Sequence, residues 1–161
     1  MSEPVKRILS PVRLEYRVSA GREKSLFLSA MLEGKLFGQR CPKCRKVYLP
    51  PRACPTCGVP TVERVPVGEV GTLTTFCVVN VPFEGQTMKL PYVYGSILLD
   101  GADLPIYHLV DGIDAKDVRM GLRVKAEWQP KEKRTPSLVA IRAFVPTGEP
   151  DASFDSYKEH L

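Results

Sequence analysis

Several kinds of residue and motif are scarce in this chain of 161 residues, and each scarcity narrows the classes of function that fit it. It contains only two histidines, His108 and His160. No set of serine, histidine and aspartate stands in a recognisable catalytic motif, and neither a Walker loop nor a glycine-rich dinucleotide turn is present. The sequence therefore offers no candidate catalytic residue, and we predict a binding or assembly module that is not an enzyme on its own.

Long apolar runs are also lacking. No run approaches the roughly 18 apolar residues that suggest a membrane span. Residues 1–16 alternate charges, prolines and single apolar side chains, and so lack the apolar core of a signal peptide. We therefore expect a cytoplasmic protein without a membrane partner.

Cysteine is present in an odd number, which does not suit a disulfide framework. Four of the five cysteines form two Cys-x-x-Cys pairs, Cys41 with Cys44 and Cys54 with Cys57. Two such tight turns direct four thiolates to one point, as in structural zinc sites. Because four thiolates leave no open coordination position, we predict one structural Zn²⁺ per chain with no Lewis-acid role. Iron in a rubredoxin-like site uses the same ligands and is the less favoured alternative.

The fifth cysteine, Cys77, lies in an apolar stretch with no neighbouring base to activate it. We predict that Cys77 is a buried, inert thiol. His108 lies between Tyr107 and Leu109 in a predicted strand, and we interpret it as a structural or surface histidine and not as a general base.

The net charge of +5 is unevenly distributed along the chain. Residues 1–65 carry a net charge of +8, whereas residues 66–161 carry −3. A basic front half suits the phosphates of a nucleotide-like ligand, nucleic acid or an acidic protein partner, and charge alone does not choose among them.

Hydrophobic periodicity predicts a mainly β fold. Residues 21–34 have the spacing of an amphipathic helix that ends at Gly34. Residues 4–20 are predicted to form an extended arm, and residues 61–66 a link between the cysteine-rich segment and the strands that follow. Five strands are then expected, with a short helical turn at residues 115–120 between the third and the fourth. The predicted strands are residues 73–79, 92–100, 104–110, 123–128 and 138–145.

Five short strands with a helical turn between the third and fourth are typical of the OB-fold, a Greek-key barrel. We therefore predict a rubredoxin-like zinc ribbon followed by an OB-fold barrel, with a loose tail that Phe154 and Tyr157 could anchor. The expected units are an arm and helix (1–34), a ribbon (35–66), a barrel (67–148) and a tail (149–161).

An ordered string of motifs carries a family resemblance. The motifs are residues 38–44 (GQRCPKC), 50–58 (PPRACPTCG), 68–72 (GEVGT), 91–92 (PY) and 99–101 (LDG). From about residue 25 to residue 145 the chain resembles the zinc-ribbon plus OB-fold family known as domain of unknown function thirty-five.

The resemblance implies an accessory subunit of acyl-CoA metabolism. Such proteins accompany thiolase-superfamily enzymes, namely thiolases, hydroxymethylglutaryl-CoA synthase and lipid-transfer-protein-like aldolases, and some are fused to a hotdog-fold hydratase. The partner holds the catalytic groups, and the accessory subunit supports assembly and the handling of the CoA thioester. Because these 161 residues include no hydratase, we expect a separate enzyme chain in a hetero-oligomer.

Residues around the cysteines are the candidates for contact with CoA or with the partner. Arginine side chains grip phosphates bidentately, and Phe37 or Tyr48 could stack on adenine. The alternative is that the basic residues only solvate the metal module. The candidates are Phe37, Arg40, Lys43, Arg45, Lys46, Tyr48 and Arg52.

A nucleic-acid-binding module is the alternative function, because zinc ribbons and OB-folds both serve in that role. Tyr92, Tyr94, Tyr107 and Trp128 would then be stacking platforms. The net charge of −3 on the barrel half opposes this interpretation, because a groove that follows a phosphate backbone should be basic.

Overall fold

A computed structural model describes residues 14–161, so most of the predicted N-terminal arm lies outside the described residues. Within them no helix is long and apolar enough to cross a membrane. Residues 14–161 contain one α-helix followed by eight strands. These elements are α1 (Gly21–Leu32), β1 (Phe37–Arg40), β2 (Val47–Tyr48), β3 (Glu63–Pro66), β4 (Val70–Val79), β5 (Tyr92–Leu99), β6 (Ile106–Val110), β7 (Arg123–Trp128) and β8 (Ile141–Pro146).

Helix α1 forms as expected and ends two residues before Gly34. Gly34 adopts a φ of +69°, and its N–H donates to the carbonyl of Met31 at 3.2 Å, which terminates the helix. Phe27 and Met31, four residues apart, form its buried face. The ring of Phe27 meets Phe37 of β1 edge-on, with centroids 5.7 Å apart, and this contact fastens the helix to the ribbon.

The ribbon is a three-stranded antiparallel sheet in the order β2-β1-β3. Strand β3 pairs along the whole of β1, with Gly38 opposite Val65. The prediction that residues 61–66 are only a link was therefore wrong. The strand escapes notice because Pro60 and Pro66 flank a short segment with little alternation, and because its pairing partner lies more than twenty residues away.

The predicted five-stranded barrel is confirmed. Its strands close in the order β4-β5-β6-β8-β7. All neighbours are antiparallel except β6 and β8, which meet in parallel at one residue pair, Val110 with Phe144. The expected helical turn at residues 115–120 is only a single turn at residues 115–117, closed by a hydrogen bond from the Asp117 N–H to the Asp114 carbonyl at 2.9 Å.

A β-bulge in β4 changes which side chains face the core. The register with β5 shifts between Leu73 and Thr75, so Leu73 and Thr74 are both buried. Beyond the bulge the alternation is inverted, and Cys77 is exposed. The prediction of a buried Cys77 was therefore wrong. The bulge also brings Leu73 close to Gly95 of β5, where a Cβ would overlap the Leu73 side chain.

The C-terminal segment is attached to the barrel and is not a loose tail. Tyr157 is buried, as one of the two predicted anchors, whereas Phe154 is exposed. The Ala152 N–H donates to the Gly121 carbonyl at 2.8 Å. The ring of His160 bonds to the Asp103 carbonyl at 3.1 Å. These contacts hold the segment on the barrel, so the expectation of a loose tail was wrong. The segment is polar, and contacts with distant residues leave no pattern in its own sequence.

Helix, ribbon and barrel pack against one another through two specific junctions. At the first, Asp103 of the β5–β6 connection exchanges two hydrogen bonds with Val47 of the ribbon, at 2.8 and 2.9 Å. At the second, Arg134 of the β7–β8 connection donates to the carbonyls of Gln129 at 2.9 Å and Leu32 at 3.4 Å. The guanidinium of Arg134 also lies over the Trp128 ring, 5.4 Å from its centroid. Arg134 thus ties the end of α1 to the barrel.

We expect Arg134→Ala to lower the free energy of unfolding by about 1–3 kcal/mol, because it removes two charge-assisted hydrogen bonds and the contact with Trp128. Hydrogen exchange should accelerate in the last turn of α1. Lys133→Ala is the matched control, because Lys133 is exposed and its side chain forms no ion pair within residues 14–161. Chemical denaturation together with amide exchange checks this, and equal stability of the two variants would contradict it.

Candidate metal centre

The two cysteine knuckles share one backbone conformation. In each knuckle the residue after the second cysteine donates its N–H to the carbonyl of the first cysteine, from Arg45 to Cys41 at 3.1 Å and from Gly58 to Cys54 at 2.9 Å. Both donors adopt left-handed backbone angles, with φ of +66° at Arg45 and +64° at Gly58. Glycine takes this conformation without strain, whereas arginine does so only where its surroundings hold it.

The knuckles bring the four predicted cysteines together. Their sulfur atoms all lie within 4.8 Å of one another. The Sγ atoms of Cys44 and Cys54 are 3.6 Å apart. A tetrahedral site with metal–sulfur bonds of about 2.3 Å requires sulfurs about 3.8 Å apart, so the cluster fits a four-thiolate site. Cys41, Cys44, Cys54 and Cys57 could therefore hold one metal ion.

Tyr48 also belongs to this site, although the sequence suggested that its ring could stack on adenine. Its side chain is buried, and its hydroxyl lies 3.3 Å from the Sγ of Cys54. A hydroxyl donor stabilises a thiolate, and this hydrogen bond lowers the pKa of Cys54 to about 6. Burial instead raises the pKa of Cys57 to about 12, so without a metal Cys54 ionises before Cys57.

Because Tyr48 is buried against the sulfurs, the predicted stacking of Tyr48 on adenine was wrong. Phe37 is half-buried, and its ring already contacts Phe27 edge-on and the guanidinium of Arg64, which lies 5.6 Å from the ring centroid. In the sequence, the position of Tyr48 between the two cysteine knuckles was the available indication that its hydroxyl could bond to a cysteine sulfur.

The basic candidates divide into two groups. Arg40 and Arg45 both pair with Glu63 of β3, at 3.3 and 3.4 Å. Lys43, Lys46 and Arg52 are exposed and form no ion pair with any described residue. Arg40 and Arg45 share the single negative charge of Glu63, whereas these three have no described counter-ion, and we call them the free ribbon cations.

Arg52 also lines a groove between ribbon and barrel that the sequence did not reveal. The groove has a volume of about 410 Å³ and is otherwise mainly apolar. Its walls come from three distant segments of the chain, so spacing along the sequence could not indicate it. They include Leu49, Pro50, Leu104, Tyr107 and Leu138.

The remaining candidates are structural or peripheral. His108 is buried, and its Nε2 bonds to the Leu138 carbonyl at 3.2 Å, which fits the predicted structural role. Burial lowers the pKa of His108, so its ring is held neutral. Trp128 donates its indole N–H to Glu69 at 3.2 Å beneath Arg134, so it is not a free stacking platform.

Comparison with known proteins gives two adjoining matches to family models. The rubredoxin-like zinc ribbon domain of ChsH2 matches residues 29–63, and the C-terminal OB-fold domain of ChsH2 matches residues 64–129. A probable enoyl-CoA hydratase alpha subunit from Thermomonospora curvata is 26% identical over 140 residues, which is 86% of this chain. The chain spans only 43% of the length of that relative.

Two solved structures share the fold. One, described as the Ltp2-ChsH2(DUF35) aldolase, aligns with a TM-score of 0.61 at 22% identity, covering 81% of this chain and 98% of that chain. The other is a protein of unknown function from the DUF35 family of Sulfolobus solfataricus, with a TM-score of 0.54 at 20% identity, covering 66% of this chain and 78% of that chain.

We expect Tyr48→Phe to release the metal at a pH about one unit higher than the native chain, because a hydrogen bond to a charged group is lost. Without the hydroxyl the pKa of Cys54 rises, and protons then compete with the metal at a higher pH. Acid titration of the cobalt-substituted protein, followed by its thiolate absorption band, measures the midpoint. Tyr107→Phe removes the same hydroxyl from an exposed tyrosine and should leave the midpoint unchanged. Equal midpoints for both variants would refute the role of Tyr48.

Proposed function

The chain belongs to the family of ChsH2 zinc-ribbon and OB-fold proteins, and from this premise we propose that it is a non-catalytic accessory subunit. Its partner is a thiolase-superfamily enzyme, a thiolase or a lipid-transfer-protein-like aldolase, that acts on acyl-CoA thioesters. The observation that carries the proposal is the shared fold, since the alignment covers 81% of this chain and 98% of the matched chain of the Ltp2-ChsH2(DUF35) aldolase. The description of the other relative as an enoyl-CoA hydratase alpha subunit also names CoA chemistry.

The metal of this subunit is a structural Zn²⁺. A four-thiolate sphere is closed to water and substrate, so the ion shapes the ribbon and takes no part in the reaction. Few apolar side chains pack around the sulfurs. The ribbon contributes Tyr48 and Val59, and the barrel contributes Leu104. Metal binding therefore supplies much of the ribbon's folding free energy, as in other small zinc modules. Iron has the same ligand preferences here and is the secondary possibility.

The free ribbon cations Lys43, Lys46 and Arg52 are the proposed contact for the CoA phosphates or for the partner surface next to them. Arg40 and Arg45 are less suited, because each already forms an ion pair with Glu63. Exposed cations without partners lose less on binding a phosphate than cations that must first break an ion pair. The groove beside Arg52 adds an apolar wall next to this charge.

The test uses the full chain and the thiolase-superfamily enzyme that co-purifies with it at moderate salt. We expect the double reversal K43E/K46E to weaken the complex, or to raise the KM for acyl-CoA, by at least about tenfold through lost charge attraction. The control K125E/K133E changes the net charge equally on barrel lysines without described ion pairs, and should leave both quantities unchanged.

The outcomes separate two parts of the proposal. If the native chain forms no complex with such an enzyme, the accessory-subunit function is overturned. If the complex forms and K43E/K46E behaves like its control, only the assignment of the free ribbon cations fails.

A nucleic-acid-binding module remains the second candidate, favoured by the exposure of Tyr94 and Tyr107 on neighbouring strands. Their partners in register on this face, Cys77, Ser96 and Leu109, carry no charge to attract phosphates. We therefore expect no oligonucleotide binding at physiological salt in a fluorescence anisotropy titration. Binding that weakens steeply with added salt and is lost in Y94A/Y107A would favour this candidate.

A further inference from the structure

Residues 149–161 lie across the outside of the barrel, and we call them the strap. They form two short 3₁₀ turns, Phe154–Ser156 and Lys158–His160. Among residues 14–161, one backbone hydrogen bond joins the strap to the barrel, from the Ala152 N–H to the Gly121 carbonyl at 2.8 Å. Because the strap is not one of the barrel strands, its detachment would leave the barrel closed.

The strap rests directly on Gly121. This residue has a φ of +88°, and a Cβ on it would lie 2.9 Å from the Ala152 carbonyl oxygen and 3.5 Å from the Tyr157 hydroxyl. Tyr157 is buried at this point of the barrel surface. A side chain at position 121 would therefore push the strap away from the barrel.

Charge holds the first part of the strap. The strap contains four acids and one lysine. Asp151 accepts two hydrogen bonds from the guanidinium of Arg119, at 2.5 and 2.8 Å, and Glu149 pairs with Arg123 at 3.4 Å. The side chains of Arg119 and Glu149 are more than half exposed, so dissolved salt screens both ion pairs.

A cleft of about 470 Å³ lies between the strap and the barrel. The strap is therefore not packed against the barrel along its whole length. A segment with few buried contacts opens at a lower free energy than the core of the same protein. The lining includes Pro150 and Ser156 of the strap and Leu98, Ala102 and Arg123 of the barrel.

The last turn of the strap reaches the junction between barrel and ribbon. The Nδ1 atom of His160 donates to the Asp103 carbonyl at 3.1 Å. Asp103 in turn accepts from the Val47 N–H at 2.8 Å and donates to the Val47 carbonyl at 2.9 Å. The residue before Val47 belongs to the first cysteine knuckle, because the Lys46 carbonyl accepts from the Cys41 N–H at 2.9 Å. A continuous set of hydrogen bonds thus runs from the strap to the metal centre.

We propose that the strap is a releasable latch that sets how firmly the ribbon is held on the barrel. While the strap is seated on Gly121, His160 fixes Asp103, and Asp103 holds β2. When the strap lifts, this support is lost, and the ribbon moves more freely against the barrel. The latch is a property of this chain alone and does not depend on the accessory-subunit function.

Hydrogen exchange of the full chain loaded with Zn²⁺ tests the latch, with the amides of Val47 and Asp103 as reporters of the junction. We expect His160→Ala to accelerate the exchange of both amides by about threefold or more, because one hydrogen bond to Asp103 is lost. The amides of β5, in the middle of the barrel sheet, should keep their native rates. Glu159→Ala is the matched control, since Glu159 is exposed and forms no ion pair with a described residue.

Gly121→Ala tests the seat of the strap independently. Its new Cβ would meet the Ala152 carbonyl, so the amides of Ala152, Val47 and Asp103 should all exchange faster. Gly85→Ala is its control, because Gly85 has a similar φ of +83° with open space around it. In the native chain, raising potassium chloride from about 0.05 to about 0.5 M should accelerate the exchange of Ala152, because salt screens the ion pairs of the strap.

Four results would contradict the latch. If His160→Ala and Gly121→Ala leave Val47 and Asp103 at native rates, the strap does not hold the junction. If β5 accelerates to the same extent, the variants destabilise the whole fold, and the strap is no separate device. Equal acceleration in Gly121→Ala and Gly85→Ala would identify backbone strain as the cause. Exchange of Ala152 that does not respond to salt would show that charge does not hold the strap.

Discussion

The convergence of four cysteine sulfurs is the constraint on which the front half of this molecule depends. The ribbon strands are two to four residues long, and among the described residues the core around the sulfurs has Tyr48 as its one large buried side chain. Strands this short do not persist in water without further support. A metal ion held by the four thiolates would supply that support. It would also fix the first knuckle, whose turn sends β2 back alongside β1, and the second knuckle, which lies between β2 and β3.

The position of the ribbon on the barrel follows from the same constraint. The ribbon strand β2 leads from one knuckle to Leu49, which is buried in the same core as the barrel side chains. Asp103 then holds Val47 from the barrel side, and His160 holds the Asp103 carbonyl from the C-terminal segment. Few other hydrogen bonds join the ribbon to the barrel, so β2 is the main connection between the metal centre and the barrel. A change at the metal centre should therefore also affect the barrel surface next to β2.

The sequence predicted the features whose causes are local. Cysteine spacing identifies the metal site, because both knuckles are tight turns with fixed chemistry. Charged and apolar residues alternate strictly in β7, and its apolar residues Val124 and Ala126 are the buried ones. The exposure of Cys77 was not predictable in this way, since a single extra residue at Thr74 inverts the alternation downstream and has no compositional mark. The burial of Tyr157 depends on a neighbour in another part of the chain, Gly121, and periodicity carries no information about that contact.

The distribution of charge over the surface was likewise not predictable from the sequence, and it also bears on function. The net charge of +8 on residues 1–65 suggests a broad basic surface, but the fold places Glu63 against two arginines and Glu23 against Arg64. What remains around the cysteines is a small group of free cations on the ribbon. Broad basic stripes suit polyanions, which need many contacts in a row, whereas a small group suits the few phosphates of one cofactor. This distribution fits a subunit that meets a small anionic ligand through the ribbon.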